Sequence, residues 1–438
     1  MFKTFINAFK VKDLRKKMLI TLLLLFIYRV GCWLTVPGIN PEVLGQAAAG
    51  SDGITFLSLM NSISGGALAN ASFLALGVSP YISASIIIQL LSVAIPSLER
   101  LSKQGEEGRK KMNLYTRIAA LVLATAQAIG IVVSYANSEL ISPTMLNGAP
   151  TWLCCMIIAV ILIAGAMFTV WLGERITDLG VGNGLSLLIF VGILSSACTS
   201  LLTSFTEAFA GDVEQIWKIV VFAVAVIAIF GLIAFIDSAE RKVPVQYAKQ
   251  IKGRKMYGGQ TTNIPIKVNA SGVIPIIFAN ALISFPQMLI SIFWPNTPFA
   301  DWWNQYMGTG SWLYIVLSAL LILFFAYFYA QITFNPEDVS KRIQQNGGFI
   351  PGIRAGKPTA EYLGKISSRL TLFGAIYLAF IALIPSLAFN AIATTTSDVN
   401  LINAFSATGL MIVVSVALEL DKQLEAQMLM RNYRGFLK

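Results

Sequence analysis

Long apolar runs alternate with shorter polar or charged stretches along almost the whole chain. A helix needs about 20 mostly apolar residues to cross the hydrocarbon of a bilayer. Runs of that kind fall at 18–36, 74–95, 114–135, 152–172, 184–202, 217–236, 271–292, 312–332, 370–389 and 401–420. The pattern predicts an all-α polytopic membrane protein with ten transmembrane helices. One further stretch, 54–71, is apolar at its start but then carries Asn61, Ser64, Gly65, Gly66 and Asn70. Backbone facing lipid must be fully hydrogen-bonded, so a polar, glycine-rich segment survives at membrane depth only inside protein or beside water. Two arrangements meet that condition: a short re-entrant half-helix within a cavity, or an interfacial helix lying on the outer surface.

Charge orients the ten spans. Nearly every Lys and Arg lies in or beside 1–17, 96–113, 173–183, 237–270, 333–369 and 421–438, while Glu42, Asp52, Glu139, Glu207, Asp301 and Asp398 lie in the intervening connections. The excess of positive charge on alternate connections places those connections, and both termini, in the cytoplasm. The N-terminal segment holds six basic residues and no small-residue cleavage site, so the first helix is expected to be retained as its own insertion signal. Two of the inner loops are long. Residues 237–270 carry Arg241, Lys242, Lys249, Lys252, Arg254, Lys255 and Lys267, and residues 333–369 carry Lys341, Arg342, Arg354, Lys357, Lys365 and Arg369. Two basic loops of more than 30 residues exceed what anchoring requires and point to docking platforms.

Composition agrees with this layout. The chain has 438 residues, of which 56% are hydrophobic and 12% charged, against about 25% charged in an ordinary soluble domain. The net charge of +10 follows topology and does not by itself imply nucleic acid; ribosomal RNA as a docking partner is a separate possibility. Histidine is absent, which removes the commonest general base, metal ligand and proton relay. Cys32, Cys154, Cys155 and Cys198 all lie in apolar runs without metal-ligand spacing and read as small hydrophobes. Ion-coupled transporters keep ionisable groups inside their helices. Here Arg29 is the clear case, with Arg117 and Glu419 near helix ends. With no paired carboxylates, Walker loop or Ser–His pair, neither an enzyme nor a cofactor- or metal-dependent activity is expected. A pathway gated by packing remains, and Val78 and Ile82, four residues apart on one helix face, are suited to line it. The competing class is a secondary transporter for a small solute, which requires convergent polar groups at the midplane.

Gly77-Val78-Ser79-Pro80-Tyr81-Ile82 opens the second span and Gly272-Val273-Ile274-Pro275-Ile276-Ile277 the seventh. These echo each other at matching places in two five-helix halves, 1–202 and 203–438, and the odd helix count inverts one half relative to the other.

A series of motifs resembles the SecY family, the channel subunit of the bacterial Sec translocase. They are Val36-Pro37-Gly38-Ile39, Ser64-Gly65-Gly66-Ala67-Leu68, the run from Gly77 to Leu91, Gly105-Glu106-Glu107-Gly108-Arg109, Trp171-Leu172-Gly173-Glu174, Gly180-Val181-Gly182-Asn183-Gly184, Pro265-Ile266-Lys267-Val268-Asn269 and Phe349-Ile350-Pro351-Gly352-Ile353-Arg354. They span nearly the whole chain in order. The resemblance implies a protein-conducting channel for unfolded secretory chains and nascent membrane helices, in the bacterial plasma membrane. Its pore ring would comprise Val78, Ile82, Ile189, Ile277 and Ile412, with Val78 standing where isoleucine is frequent in relatives. The polar stretch with Asn61, Ser64, Gly65 and Gly66 would be the plug. The lateral gate would lie between the second and third spans and the seventh and eighth, with Ser85, Gln127 and Asn280 as polar gate residues. Arg254, Lys255 and Arg354 would dock the SecA motor ATPase and the ribosome. SecE-like and SecG-like subunits, signal peptides, nascent chains and membrane lipids complete the implied partners.

Overall fold

The computed structural model describes residues 2–39, 61, 64–102, 104–137, 150–209, 213–247, 250–252, 255–257, 261–269, 272–293, 297–307, 311–392 and 407–435. Ten of its helices coincide with the ten predicted spans: α2 (Lys12–Gly31), α3 (Ser79–Ala94), α5 (Glu106–Asn137), α6 (Thr151–Leu179), α7 (Gly184–Phe209), α8 (Val213–Ser238), α9 (Ile274–Phe293), α11 (Trp312–Thr333), α13 (Lys357–Ile392) and α14 (Ala407–Gly435). The described residues also form four shorter helices: α1 (Phe2–Lys10), α4 (Pro96–Ser102), α10 (Pro298–Met307) and α12 (Pro336–Gln345). By length and composition alone, α5, α6, α7, α11 and α13 suffice to cross a membrane. The outward faces of α2, α8, α11 and α13 agree, because Leu23, Phe26, Val224, Ile227, Leu320, Phe324 and Phe373 are all exposed. Exposed apolar surface on this scale fits lipid rather than water as the neighbour.

Several helices outrun the apolar windows that announced them. α5 begins at Glu106 and α13 at Lys357, eight and thirteen residues ahead of their predicted spans. Hydropathy registers only the part of a helix that lies in lipid, whereas backbone hydrogen bonding continues into water wherever packing supports it.

The helices close into two packed seams. On one side α9 lies against α3 and α5 and carries α11 beside it; on the other, α7 lies against α14 and α8. α6 packs on α2, α5 and α7, and α13 on α11 and α14. One apolar cluster runs through the middle, drawing Leu74, Leu188, Ile276, Phe278 and Met411 together from both parts of the chain. A second fills the space among 124–135, 154–166 and 68–76, where Ala124, Ala128 and Ala166 let helices approach closely. The chain ends also meet: α1 packs on α14, with Ala8, Leu14, Met18 and Leu424 buried together.

The two basic loops are not separate. β1 (Glu240–Tyr247) pairs antiparallel with β4 (Thr261–Lys267), and its end pairs with β5 (Gly348–Phe349) of the other loop through Gln246 opposite Phe349 and Tyr247 opposite Gly348. A second hairpin, β2 (Gln250–Lys252) with β3 (Lys255–Tyr257), extends the first loop. Val243, Val245 and Ile266 from the first loop and Ile343, Ile350 and Leu363 from the second share one small core. The helical fold therefore carries one composite platform where two independent loops were expected.

Candidate pore, plug and docking platform

The predicted ring residues come from four helices: Val78 and Ile82 from the start of α3, Ile189 from α7, Ile277 from α9 and Ile412 from α14. All five belong to the central apolar cluster. Val78, Ile189 and Ile412 are buried in it, and Ile82 and Ile277 are partly buried against it. Within the two seams, α3 meets α9 and α7 meets α14. The five residues predicted for the ring thus share one apolar cluster.

Of the predicted half-helix at 54–71, residues 54–60, 62 and 63 lie outside the described residues. The half-helix does not run through to residue 71: helical backbone gives way to consecutive turns after Ser64. Gly65 and Gly66 take φ of 73° and 86°, values that L side chains rarely adopt and that end a helix. The turns are tied down by their own polar groups. The Asn61 carbonyl accepts from the Gly66 amide at 2.9 Å and from Ser64 Oγ at 3.2 Å, and Asn61 Oδ1 accepts from the Ala69 amide at 2.9 Å. This satisfies backbone that the surrounding apolar side chains cannot.

The segment is fastened to α2 by Arg29, whose Nη1 donates to the Gly65 carbonyl at 2.7 Å. The same guanidinium lies 5.9 Å from the Trp33 ring centroid. One turn on, the Cys32 thiol donates to the Ser64 carbonyl at 3.8 Å. Sequence reasoning singled out Arg29 as an intramembrane charge but assigned it no partner. The signal was the general one that such a charge must be paired, and only the tertiary structure supplies the acceptor.

Gly65 also meets α7. A Cβ built on it would lie 2.9 Å from both Cα and O of Gly192. Gly192 is three residues, about 4.5 Å of helix rise, beyond Ile189. A Cβ on Gly77, next to Val78, would in turn touch the Ser64 side chain at 3.6 Å. Ser64 and Gly65 therefore abut the backbone beside Val78 and Ile189, two of the predicted ring residues.

The predicted gate residues sit near the first seam but are not bonded to one another. Ser85 Oγ accepts from Gln89 Nε2 at 3.3 Å within its own helix. Gln127 is buried with no hydrogen-bond partner for its Oε1, and Asn280 is half-buried on α9. A polar group missed by sequence reasoning lies at the base of the platform. Asp237, at the end of α8, accepts from Asn269 Nδ2 at 2.8 Å through one oxygen and from Ser415 Oγ through the other. Ser415 is three residues past Ile412, so the end of the basic loop is bonded to a ring-bearing helix.

On the platform, Arg354 is exposed at the end of a tight turn. Burial of Ile350 fixes the turn from one side, and Thr359 Oγ1 donates to the Arg354 carbonyl at 2.9 Å from the other. The guanidinium is left free of the turn's own scaffolding. Lys255 opens β3 opposite Lys252, and Arg254 lies outside the described residues.

The glycine-rich motif at 180–184 proves to be a packing device. A Cβ on Gly184 would lie 2.0 Å from the Gly173 carbonyl oxygen. The Gly184 amide donates to Thr177 Oγ1 at 2.9 Å, and the Val181 amide to Thr21 Oγ1 at 3.1 Å. The turn thereby locks α6, α7 and α2 together.

A family model for SecY matches residues 72–420, and the protein translocase subunit SecY of Mycobacterium bovis is 43% identical over 451 aligned positions that cover the whole of both chains. The chain belongs to the SecY family. Solved structures of similar fold include a protein-conducting channel (TM-score 0.66, 19% identical, 94% of this chain and 92% of that one) and Sec61 from a canine ribosome–channel complex of the endoplasmic reticulum (TM-score 0.62, 17% identical, 94% and 92%). Membership of the SecY family makes the chain a multi-pass membrane protein, and it accounts for ten helices where five satisfy length and hydropathy unaided.

Proposed function

We propose that this chain is the pore-forming subunit of a protein-conducting channel that passes unfolded secretory proteins across the bacterial plasma membrane and releases membrane-protein helices sideways into lipid. The observation that carries this is the convergence of Val78, Ile82, Ile189, Ile277 and Ile412 on one cluster beside a hydrogen-bonded, glycine-rich segment. A ring of branched aliphatic side chains seals by excluding water, without a binding chemistry that would retain the passing chain. A small-solute transporter needs the opposite, polar groups that converge at the midplane, and nothing favours it here.

In this proposal the segment around Asn61, Ser64, Gly65 and Gly66 is the plug, held shut from α2 and α7. Residues 1–202 and 203–438 act as two halves. The seam of α3 and α5 against α9 and α11 is the lateral gate, on which Ser85, Gln127 and Asn280 lie. The opposite seam, where three residues join α7 to α8, is the hinge. The buried Gln127 amide offers an acceptor for a new partner when the gate parts. SecE-like and SecG-like subunits clamp the halves. Both termini and the β1–β4–β5 platform face the cytoplasm, where Arg254, Lys255 and Arg354 engage SecA or the ribosome. The channel itself performs no covalent chemistry and binds no cofactor.

Depletion of the protein in its host tests the reading. Secretory precursors with uncleaved signal peptides should accumulate, and unchanged export on depletion would overturn it.

A further inference from the structure

The connection between α9 and α11 holds the helix α10, in which the nine residues after Pro298 divide into three sectors. At about 100° per residue, Phe299, Trp302 and Tyr306 fall within one 60° arc, Ala300, Trp303 and Met307 within the next, and Asp301, Asn304 and Gln305 on the remaining side. The structure separates the first two arcs. Ala300 is only 3% exposed and Trp303 and Met307 are half-buried, whereas Phe299, Trp302 and Tyr306 are 52%, 45% and 40% exposed. The exposed aromatics are also organised among themselves. Phe299 and Trp302 stack at 6.2 Å with their planes 13° apart, and Trp302 and Tyr306 lie 5.4 Å apart.

We infer that α10 is an interfacial anchor, lying in the plane of the outer leaflet with Phe299, Trp302 and Tyr306 inserted at the boundary between headgroups and acyl chains. Three features select lipid over a protein partner as the occupant. The next helix, which α10 touches, carries an exposed apolar stripe of its own, Trp312, Val316, Leu320 and Phe324 at intervals of four. Its composition is amphipathic as well as apolar: the indole N–H of Trp302 and the phenol of Tyr306 suit a zone that is dry on one side and wet on the other. On the helix wheel the polar residues 301, 304 and 305 fall opposite, and Gln305 is exposed, as an interfacial helix requires to keep a polar side in water. The inner sector, Ala300 and Trp303, docks the helix onto the protein. α10 touches both α9 and α11, so anchoring it fixes the depth of the outer ends of these two helices. The inference uses the membrane-spanning fold and none of the channel activity.

Single cysteines at Phe299, Trp302, Gln305 and Tyr306, in a chain whose four native cysteines are alanine, would carry nitroxide labels in vesicles of phosphatidylcholine and phosphatidylglycerol. Oxygen, which partitions into lipid, and a nickel chelate, which stays in water, then report depth. The ratio of oxygen to nickel relaxation should be several-fold higher at positions 299, 302 and 306 than at 305. Strong nickel relaxation at all four would make α10 a water-facing surface helix, and protection of 299, 302 and 306 from both probes would make the face a protein contact; either overturns the inference. Should the cysteine-free chain fail to assemble, wild-type and Trp302→Phe proteins are compared with lipids brominated near the headgroup. The bromolipid should quench a larger share of the emission from wild type, and equal quenching overturns the inference.

Discussion

The segment proposed as the plug and the residues proposed for the pore ring lie side by side but are held by different physics. Ser64 and Gly65 are fixed by directional bonds, from Arg29 and Cys32 to two successive carbonyls, and by close backbone approach to Gly192. The five ring residues are fixed by non-directional apolar contact within the central cluster. A charge-assisted hydrogen bond is strong but confined to one geometry, so a small displacement loses it whole. Apolar contact among branched side chains yields gradually and re-forms around whatever passes. A part that must leave is suited to the first kind of attachment, and a part that must stay sealed around a moving chain to the second.

The largest expected effect comes from Gly65→Val. Its Cβ would meet Arg29 Nη1 at 2.7 Å and the Gly192 backbone at 2.9 Å, on a residue with φ of 73°. The plug cannot seat, and reconstituted channels should conduct ions at rest; wild-type leak would refute the described contact. Next, the double substitution Ile82→Ser with Ile277→Ser wets the ring while leaving the plug bonds intact. It should raise resting conductance and admit precursors with defective signal sequences, and an unchanged conductance would remove these residues from the seal.

Arg29→Met tests the latch by itself. Loss of one charge-assisted bond costs about 1.5–3 kcal/mol, which shifts the balance of seated and displaced plug by roughly ten- to a hundredfold. A cysteine at Ser64 should become correspondingly more reactive to an external aqueous thiol reagent, and Arg29→Lys, which keeps a donor, should restore part of the protection. Cys32→Ala removes a weak S–H donor and should change that reactivity by less than ~1 kcal/mol. An effect as large as that of Arg29→Met would move the latch from the arginine to the thiol. Arg354→Glu is expected to leave the resting leak unaltered, because the arginine lies on the platform turn and touches neither attachment, yet to block SecA-driven translocation. Leak without loss of docking would join the platform to the seal.

Ten helices and the basic character of the two loops were legible in the sequence, because lipid imposes a length and a polarity on each segment independently of all others. Local chemistry also marked Gly65 and Gly66 as incompatible with a lipid-facing helix. Pairings between distant segments carry no such mark. Nothing in the pattern around Arg29 names the Gly65 carbonyl, 36 residues away in sequence, as its acceptor. Nor does the run Gly348-Phe349 announce that it will add a strand to β1. The polar bridge from Asp237 to Asn269 and Ser415 was equally silent, since short polar residues near a helix end normally face water. Solvation is a property each residue brings to the fold. The identity of a hydrogen-bond partner, the merging of two loops into one core and the gathering of five aliphatic residues in one apolar cluster depend on how the helices pack, and only the tertiary structure decided them.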